Sequence, residues 1–573
     1  MNKIYRSVVI TLLLNHWSAA INAAPVIPNA GLIMRESSKM PTMPKKPIDT
    51  EIEQPPLKKP MVAPSNLRVT VHSFSFSGNS QFASSVLQPL LSRYINRELS
   101  FADLQQAAFV ITEYYRNAGF LVAYAYLPEQ TLEHGQVELA VFEGRLDDQH
   151  LKGQGINLLN DTRINKAVLQ NFLDTLPKGS LITESTMTHL SLLLNQLPGI
   201  NAKVVLAPGK ETGSSSLAIK IKEAPLITGY GAVDNYGLYA TGYYRFDGGV
   251  SINDPFGLGD QLNLRAQTTD TGNAVAGWAD YNVAINGYGT RLGVNFAQLD
   301  YTLGRNFTAL QANGIARIVG TTLMQPLLLK RGAQLTGIAH YEHRWMQDNL
   351  DSYGSHNDRE LNVMSFSFTG AMNDTWLTEM AMTQAFINVS AGQVDFTNQQ
   401  AYLLNQTSGL DSSGGYHKFN WLLNRTQTVW GPLSLYANFQ GQVASKNLDN
   451  SERISLGGPY GIRAYPVGEG NGDEGWQFNA ETRYRLPAIP YLPGYLQLIG
   501  FIDTGYARIN AQPLPGVAFN SQQLTGYGFG INWLEAGGFS LRTSLAWRDS
   551  SKQPSADPTA TGPMGYFQLN RLF

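Results

Sequence analysis

The stretch Trp476–Leu486, WQFNAETRYRL, decides the fold, because apolar and polar side chains alternate along it. Successive side chains of a β-strand point to opposite faces, so this pattern predicts a strand with two different faces. The apolar face carries Trp476, Phe478, Ala480, Tyr484 and Leu486. The other face carries Gln477, Asn479, Glu481, Arg483 and Arg485. Because each face carries five residues of one kind, the strand must separate an apolar environment from a polar one.

Similar strands fill the chain from about Leu226 onward. The segments DQLNLRAQ (260–267) and FSLRTSLAW (539–547) alternate in the same way, and we count about sixteen such segments. No helical pattern remains in this region to cover an apolar sheet face, as a soluble sandwich would need. A closed barrel with lipid outside and water inside satisfies every backbone group. Residues 225–573 are therefore predicted to form a transmembrane β-barrel of about sixteen antiparallel strands.

The connections between these strands predict which side of the membrane each one occupies. Every second connection is short, as at 285–290, 373–375, 430–432 and 535–538, and the others run longer, as at 301–313, 348–358, 395–414, 447–474, 508–521 and 549–562. Outer-membrane barrels have short periplasmic turns and long extracellular loops. Counting strands places the glycine-rich segment Leu456–Trp476 outside, between the eleventh and twelfth strands.

Composition excludes several other classes of protein. Only 15% of the 573 residues are charged and the formal net charge is −2, so there is no electrostatic signature of nucleic-acid binding. Cysteine is absent, which excludes disulfides, thiolate metal sites and a cysteine nucleophile. No Ser/His/Asp grouping stands out, and the nine histidines show no metal-binding spacing. We therefore predict no catalytic residues, no metal and no cofactor.

The first residues predict export. Lys3 and Arg6 precede the apolar run Val8–Leu14, and small residues follow up to Ala23, so residues 1–23 are predicted to be a secretory signal peptide. Residues 24–66 are rich in proline, which favours an extended linker. Within them, the proline-free window Asn29–Met40 has two interpretations, a short helix or an irregular chain.

Two similar modules lie between the linker and the barrel. Residues 67–146 are predicted to run strand, helix, helix, strand and strand, beginning with the alternating segment RVTVHSFSFSGN (68–79) and the helically spaced segment ASSVLQPLLSRYI (83–95). Ser100 and Asp103 are predicted to begin the second helix and Gly119 to end it. Residues 147–224 repeat the order, with helices predicted near 163–176 and 183–197. A repeat of about 75 residues predicts a tandem of small α/β modules. Because the modules precede the first barrel strand, they belong on the periplasmic side.

The glycine-rich segment has three interpretations. It could be an irregular surface loop, or its acidic residues Glu469, Asp473 and Glu474 could bind a cation, although their spacing matches no known calcium motif. The third interpretation pairs Arg463 with Asp503. A mid-strand carboxylate is costly against lipid, so Asp503 should face the lumen, where a loop that folds inward could bring Arg463 to it.

Together these residues resemble a known family, the two-partner secretion transporters (TpsB family, ShlB/FhaC/HecB-like) of the outer-membrane assembly factor superfamily. Within it, the haemolysin and haem–haemopexin protein transporters are the branch that the chain most resembles. The loop motif V/I-R-G/A-Y/F of this family is matched by Ile462, Arg463, Ala464 and Tyr465, with Ala464 where the superfamily often has glycine. Its partner motif F-x-D-x-G is matched by Phe501, Asp503 and Gly505. The window around Asn29, Leu32, Ile33 and Arg35 is similar to the family's plug helix, and the two modules are similar to its POTRA domains.

The resemblance implies an outer-membrane pore that recognises an unfolded TpsA-type exoprotein in the periplasm and translocates it to the surface. Whether it also activates that partner is left open. Outer-membrane lipid, lipopolysaccharide and periplasmic chaperones are the other partners considered, and nucleic acid is not expected. Alternatives are an outer-membrane protein insertase of the same superfamily, a solute porin, or an adhesin acting through its long loops. Two modules favour secretion over insertion, and a porin would lack the modules.

Overall fold

The computed structural model describes residues 27–40, 68–132, 134–146, 157–158, 162–177, 179–208, 214–377, 379–408, 410–514, 519–551 and 553–573. The predicted signal peptide and most of the proline-rich linker lie outside these residues. Within them, no helix is both long enough and apolar enough to cross a membrane.

Six α-helices occur among the described residues: α1 (Ala30–Ser38), α2 (Ser84–Leu87), α3 (Phe101–Asn117), α4 (Lys166–Leu173), α5 (Glu184–Leu194) and α6 (Gln399–Thr407). Short 3-10 helices span Gln88–Tyr94, Arg305–Leu310 and Asp351–Tyr353. The strands before the barrel are β1 (Arg68–Val71), β2 (Ser73–Ser77), β3 (Arg97–Ser100), β4 (Tyr124–Tyr126), β5 (Gln136–Phe142), β6 (Arg145–Leu146), β7 (Asn157–Leu158), β8 (Ile200–Pro208) and β9 (Ser214–Glu223).

Sixteen further strands close into one antiparallel barrel, as predicted. They are β10 (Ile227–Asp234), β11 (Arg245–Asn253), β12 (Gln261–Thr269), β13 (Ala274–Ala284), β14 (Arg291–Thr302), β15 (Ala312–Lys330), β16 (Ala333–Leu350), β17 (Ser355–Leu377), β18 (Glu379–Phe396), β19 (Gly414–Trp430), β20 (Leu433–Ala444), β23 (Glu474–Arg485), β24 (Tyr495–Arg508), β25 (Ser521–Leu534), β26 (Phe539–Arg548) and β27 (Met564–Leu572). Two-residue strands β21 (Ile454–Ser455) and β22 (Asn471–Gly472) pair with each other and stay outside the barrel wall. The barrel closes where β10 pairs with β27, from Tyr230 opposite Leu572 to Asp234 opposite Gln568.

The two faces of the wall follow the alternation of the sequence. On β24, the side chain of Ile502 is 54% exposed on the outside, whereas Asp503 is 0% exposed on the inside. Phe296, Phe366, Val389 and Phe529 are likewise exposed apolar residues of the wall. Such a belt of apolar side chains suits the hydrocarbon of a bilayer.

The connections differ from the prediction in detail. The turn at Gly431 and Pro432 is as short as predicted. The predicted turn at 373–375 instead lies inside β17, because the ladder with β18 continues to Leu377 opposite Glu379. The predicted long loop 348–358 is also much shorter, because β16 and β17 pair up to Leu350 opposite Ser355. In both places the strands continue to pair beyond the segment whose alternating pattern predicted them.

The first module packs α3 against the sheet β2–β5–β4. Ser100 and Asp103 form a reciprocal capping box at the start of α3. The hydrogen bonds from the side chain and backbone of Ser100 lower the pKa of Asp103. The buried Tyr115 donates a hydrogen bond to Glu143, 3.0 Å away, and burial together with this bond raises the pKa of Tyr115.

The second module contacts the short turns of the barrel. The backbone N–H of Asn165 donates to the carbonyl of Gly257, in the β11–β12 turn, at 2.8 Å. Nδ1 of His189 lies 3.2 Å from the carbonyl oxygen of Leu329, near the β15–β16 turn. The second module and the short turns therefore share one side of the barrel.

Candidate functional site

The connection between β20 and β23, residues 445–473, folds back into the barrel, and we call it loop six. Its residues Leu456, Ile462 and Ala464 are completely buried. Two of its glycines make this fold possible. A Cβ at Gly461 would lie 1.9 Å from the carbonyl oxygen of Leu456, and one at Gly457 would lie 2.3 Å from that of Pro466. Only glycine permits so close an approach of backbone to backbone.

Arg463 at the tip of loop six is bound by two carboxylates of the wall. Its Nε donates to Oδ2 of Asp503 at 2.8 Å and its Nη2 donates to Oδ1 at 2.7 Å. Its backbone N–H also donates to Oδ2 of Asp503, at 3.1 Å. Its third guanidinium nitrogen, Nη1, donates to Oε1 of Glu481 at 2.6 Å. This is a bidentate, charge-assisted arrangement that fixes both position and orientation.

The charges around Arg463 balance. Glu481 also accepts a hydrogen bond from Nε of Arg483, at 2.7 Å, so two arginines face two carboxylates. The side chains of Arg463 and Asp503 are 9% and 0% exposed. Removing one member of such a buried pair leaves an unpaired buried charge, which costs about 3–5 kcal/mol.

The two other residues of the F-x-D-x-G motif also contact the loop. The Cζ of Arg463 lies 3.5 Å from the centroid of the Phe501 ring, a cation–π contact. A Cβ at Gly505 would lie 2.8 Å from the carbonyl oxygen of Trp476 and 2.9 Å from Cδ1 of Ile462. Gly505 therefore leaves the space into which Ile462 packs.

The remaining residues of the loop motif pack against the last strands. The methyl group of Ala464 lies over Gly526, where a Cβ would be only 2.3 Å away. The alanine that replaces the more usual glycine is thus accommodated by the missing side chain at Gly526. The carbonyl of Tyr465 accepts a hydrogen bond from the hydroxyl of Tyr566 at 2.8 Å.

Four residues of this site were not singled out from the sequence: Asn479, Glu481, Gly526 and Tyr566. Asn479 donates to Oδ1 of Asp503 at 2.9 Å and to the carbonyl of Gly461 at 2.8 Å. Asn479 and Glu481 lie on the polar face of the strand that first indicated the fold, so the sequence did predict that they face the lumen. Gly526 and Tyr566 lie on later strands, and their contacts depend on the path of the loop.

A second set of ion pairs holds the first limb of loop six to strands β16, β17 and β19. Asp449 accepts from Nε of Arg359 at 2.5 Å. Glu452 is paired with Lys418 at 2.6 Å and with Arg344. Loop six is therefore fixed to two separate parts of the wall, with its tip on β23 and β24 and its first limb on strands that precede it in the chain.

The acidic residues that raised the possibility of a cation site have protein partners. Glu469 accepts from the backbone N–H of Ala556 at 2.8 Å. Asp473 pairs with Arg453 at 2.8 Å, and Glu474 pairs with Arg508 at 3.1 Å. Among the described residues, no group of three or more His, Asp or Glu side chains is arranged to hold a metal ion.

Helix α1 lies inside the barrel against β14, β15 and β16. Asn29 caps its N-terminus by accepting from the backbone N–H of Leu32 at 3.1 Å. The N–H of Ala30 donates to Oδ1 of Asp348 at 2.7 Å. At the other end, Nη1 of Arg245 donates to the carbonyl of Glu36 at 3.2 Å, and Nη2 of Arg265 donates to that of Ser37 at 2.9 Å. Asp348 at the N-terminus of the helix and the two arginines at its C-terminus complement the helix dipole.

The side chains of α1 contact both the wall and loop six. Leu32 and Ile33 are buried, and Ile33 packs into an apolar cluster of wall residues. Nη1 of Arg35 donates to the carbonyl of Asn450 at 3.0 Å and contacts that of Arg453, while Nη2 donates to Oδ1 of Asn471 at 3.1 Å. Arg35 thereby connects the two limbs of loop six.

Comparison with known proteins gives two family matches. The POTRA domain of ShlB type matches residues 69–144, the first module. The family described as haemolysin secretion/activation protein ShlB/FhaC/HecB matches residues 213–533, which cover most of the barrel and include loop six.

Similar individual proteins are also known. The heme/hemopexin transporter protein HuxB of Haemophilus influenzae is 29% identical over 473 residues, covering 82% of this chain and 81% of the relative. The outer membrane transporter CdiB of Escherichia coli is 23% identical over 471 residues, covering 76% and 72%. The solved structure of CdiB from Escherichia coli has a TM-score of 0.66 at 18% identity and covers 95% of this chain and 96% of that one. BamA from Haemophilus ducreyi, lacking POTRA domains 1–3, has a TM-score of 0.52 at 13% identity, covers 88% and 100%, and shares the fold alone.

Proposed function

The chain belongs to the haemolysin secretion/activation family ShlB/FhaC/HecB, and from this premise we propose that it moves one exoprotein, as an unfolded chain, through its own barrel. The protein is a two-partner secretion transporter of the outer membrane, with its POTRA domain in the periplasm. Transport by such a protein needs a route through the barrel lumen, an element that closes the route at rest and a surface that receives the client.

The observation that carries the proposal is the occupied lumen. Helix α1 bonds to β11, β12 and β16, and the tip of loop six bonds to β24, so both elements lie in the lumen. A barrel of this size that already holds two elements has no room for a globular domain. The client must therefore pass as an extended chain, and α1 must leave its place to let it through. We assign α1 the role of a plug and the Arg463–Asp503 pair the role of a lock for loop six.

The periplasmic modules are proposed to receive the client. In the first module, β2 (Ser73–Ser77) is an edge strand of the sheet β2–β5–β4, and in the second, β8 pairs on one side only, with β9. An extended segment can add to such an edge through main-chain hydrogen bonds, whereas a folded domain cannot. We expect the affinity to be modest, because ordering a flexible chain costs free energy.

The name of the relative HuxB makes a haem- or hemopexin-binding exoprotein the first client to test. We further propose that the apolar outer belt is in contact with lipid and lipopolysaccharide, that periplasmic chaperones deliver the client, and that the protein acts by transport and not by catalysis.

The experiment pairs the full-length protein with the exported protein encoded beside its gene. A client fused to a domain that an engineered disulfide keeps folded should stall in the periplasm, and reducing the disulfide should restore its secretion. Equal secretion of the folded and the reduced fusion would contradict passage as an extended chain. In a second experiment, residues 68–223 are titrated with the client's N-terminal domain, once unfolded and once folded. We expect tighter binding of the unfolded form.

A further inference from the structure

The part of the lumen wall that α1 covers is apolar, which is unusual for a channel. Water-filled barrels have a polar interior. Here, lumen-facing side chains of β13 to β18 form a buried apolar surface: Ala276, Ala297, Leu299, Ala316, Met346, Leu361, Val363 and Val394. On α1, Ala30, Ile33 and Met34 pack against this surface. Leu448 and Val467 of loop six belong to the same cluster, so departure of α1 exposes the side of this surface on β14 to β16 that the helix contacts.

Residues of β11, β12 and β16 hold α1 by its main chain. Asp348 binds the N–H of Ala30, and Arg245 and Arg265 bind two carbonyls of its last turn. None of these three contacts depends on the identity of a side chain of α1. Groups that bind backbone N–H and C=O can serve any polypeptide that takes the place of the helix.

These wall groups are oriented by partners that do not belong to α1. Arg245 is held by Asp234, with Nε to Oδ1 at 2.8 Å and Nη2 to Oδ2 at 3.0 Å. Nε of Arg265 donates to Oδ2 of Asp247 at 2.9 Å, and Nη1 of Arg359 donates to Oδ2 of Asp348 at 2.6 Å. The hydroxyl of Tyr301 also donates to Oδ1 of Asp348, at 2.5 Å. Each wall residue is therefore held in place by the wall when the helix is absent.

We propose that this surface, which we call the peptide wall (Arg245, Arg265, Leu299, Met346, Asp348 and Leu361), binds the translocating chain once α1 has left. The inference rests on the proposed function and names the contact surface within it. The ligand is an extended polypeptide segment. Its apolar side chains lie on Leu299, Met346 and Leu361, its carbonyls accept from the arginines, and an N–H donates to Asp348. Helix α1 occupies the wall at rest as an internal substitute for the client.

The test uses pores from which residues 28–42 are deleted, so that release of α1 does not contribute to the readout. In planar bilayers, two probes are added to the periplasmic side and the duration of each current blockade is measured. One probe is a synthetic peptide of residues 27–40. The other is an unstructured peptide of leucine, serine and glycine, with a matched peptide in which serine replaces every leucine.

Two sets of variants remove parts of the peptide wall. Arg265→Gln with Asp247→Asn removes one arginine together with its charge partner, so that no buried charge is left unpaired. Leu299→Ser and the milder Leu299→Ala remove apolar contact. Asn388→Ser is the control, because Asn388 bonds to Ser390 and Asn420 of the wall and makes no described contact with α1. Heat-dependent migration in electrophoresis checks that each barrel is folded.

We expect the leucine peptide to block the unsubstituted deletion pore longer than the serine peptide does. Each wall variant should shorten the leucine-peptide blockade by at least about tenfold, equivalent to about 1.4 kcal/mol, and the control should not. If the variants shorten only the blockade by peptide 27–40, the wall serves α1 alone and the proposal is overturned. If neither peptide 27–40 nor the leucine peptide blocks the deletion pore, passage of an extended chain through the lumen is contradicted. That result differs from one in which the peptides block the pore but the wall variants have no effect, which would overturn the peptide wall alone.

Discussion

Arg463 and Asp503 meet through two guanidinium hydrogen bonds, Nε to Oδ2 at 2.8 Å and Nη2 to Oδ1 at 2.7 Å, inside the barrel lumen. One residue lies at the tip of a loop and the other in the middle of a wall strand. This pair, with Glu481 beneath it, joins loop six to β23 and β24. Buried charges therefore join the tip of the loop to the wall.

We predict that Arg463→Ala leaves the barrel inserted and strongly reduces secretion. The substitution leaves Asp503 and Glu481 without their shared cation, which costs about 3–5 kcal/mol and releases the loop tip. Asp503→Ala should have the same effect. Secretion of the client into the medium and the amount of folded barrel in the outer membrane are the two measurements.

The matched control for this prediction is Arg425→Ala. Arg425 makes an equally bidentate pair with Asp374, at 2.8 and 2.9 Å, but on the outward side of β19 that also carries the exposed Leu423. Its loss should leave secretion near the level of the unsubstituted protein. Normal secretion by the Arg463→Ala and Asp503→Ala variants would show that the pair is not a lock.

A second prediction exchanges one methyl group across the contact between Ala464 and Gly526. Gly526→Ala places a Cβ 2.3 Å from the methyl of Ala464, so the loop tip must move and secretion should fall. Adding Ala464→Gly removes the opposing methyl and should restore secretion. Because the double variant retains Gly526→Ala, its secretion also shows whether this substitution damages β25. Failure of Ala464→Gly to rescue Gly526→Ala would place the cause elsewhere, for example at the carbonyl of Trp547, 3.2 Å away.

Much of the fold could be predicted from the sequence, because a two-sided strand has a period that can be read directly. The sixteen strands and the position of loop six follow from alternation and from counting. Local breaks were harder to foresee. His72 divides the predicted first strand into β1 and β2, which enter different sheets, and the segment around Pro89 is a 3-10 helix where helical spacing predicted one continuous α-helix. Helix α6 lies within a predicted loop.

The candidate site was predictable only in part. A lone arginine and a mid-strand aspartate stand out in a chain with few charges, so Arg463 and Asp503 could be named. The ion pairs of Asp449 and Glu452 could not, because their partners Arg359, Arg344 and Lys418 look like ordinary polar residues of strands. Pairings across a lumen depend on the path of the loop, which no local pattern specifies.

A third prediction concerns that second attachment. Asp449→Asn combined with Glu452→Gln should loosen the first limb of loop six from β16, β17 and β19 while the tip stays bound to Asp503. We expect trypsin added to intact cells to cut at Arg453, which is buried in the unsubstituted protein. The matched control is Glu474→Gln, which removes a more exposed pair with Arg508. Full protection of the double variant would mean that the tip alone holds the loop.

A fourth prediction tests how α1 is kept in the barrel. Deleting residues 28–42 should raise single-channel conductance, because the helix occupies the lumen, while secretion continues. Conductance equal to that of the full-length protein would exclude a plug. A point substitution gives a finer test, because Gly31 faces loop six. A Cβ on Gly31 would lie 2.6 Å from the backbone nitrogen of Ser451 and 3.0 Å from its Cβ.

Gly31→Val should therefore push α1 away from loop six. Overpacking of this kind costs about 1–3 kcal/mol, and even 1 kcal/mol changes an equilibrium about fivefold. The open, high-conductance state should be populated correspondingly more often than in the unsubstituted protein. Ser38→Val is the matched control, since it places the same β-branched residue at an exposed position of the same helix and so separates helix propensity from the contact. Equal open fractions for the two variants would show that α1 is not held by close packing on loop six. A higher open fraction for Gly31→Val alone would assign the fit between Gly31 and Ser451 a direct part in keeping the pore closed.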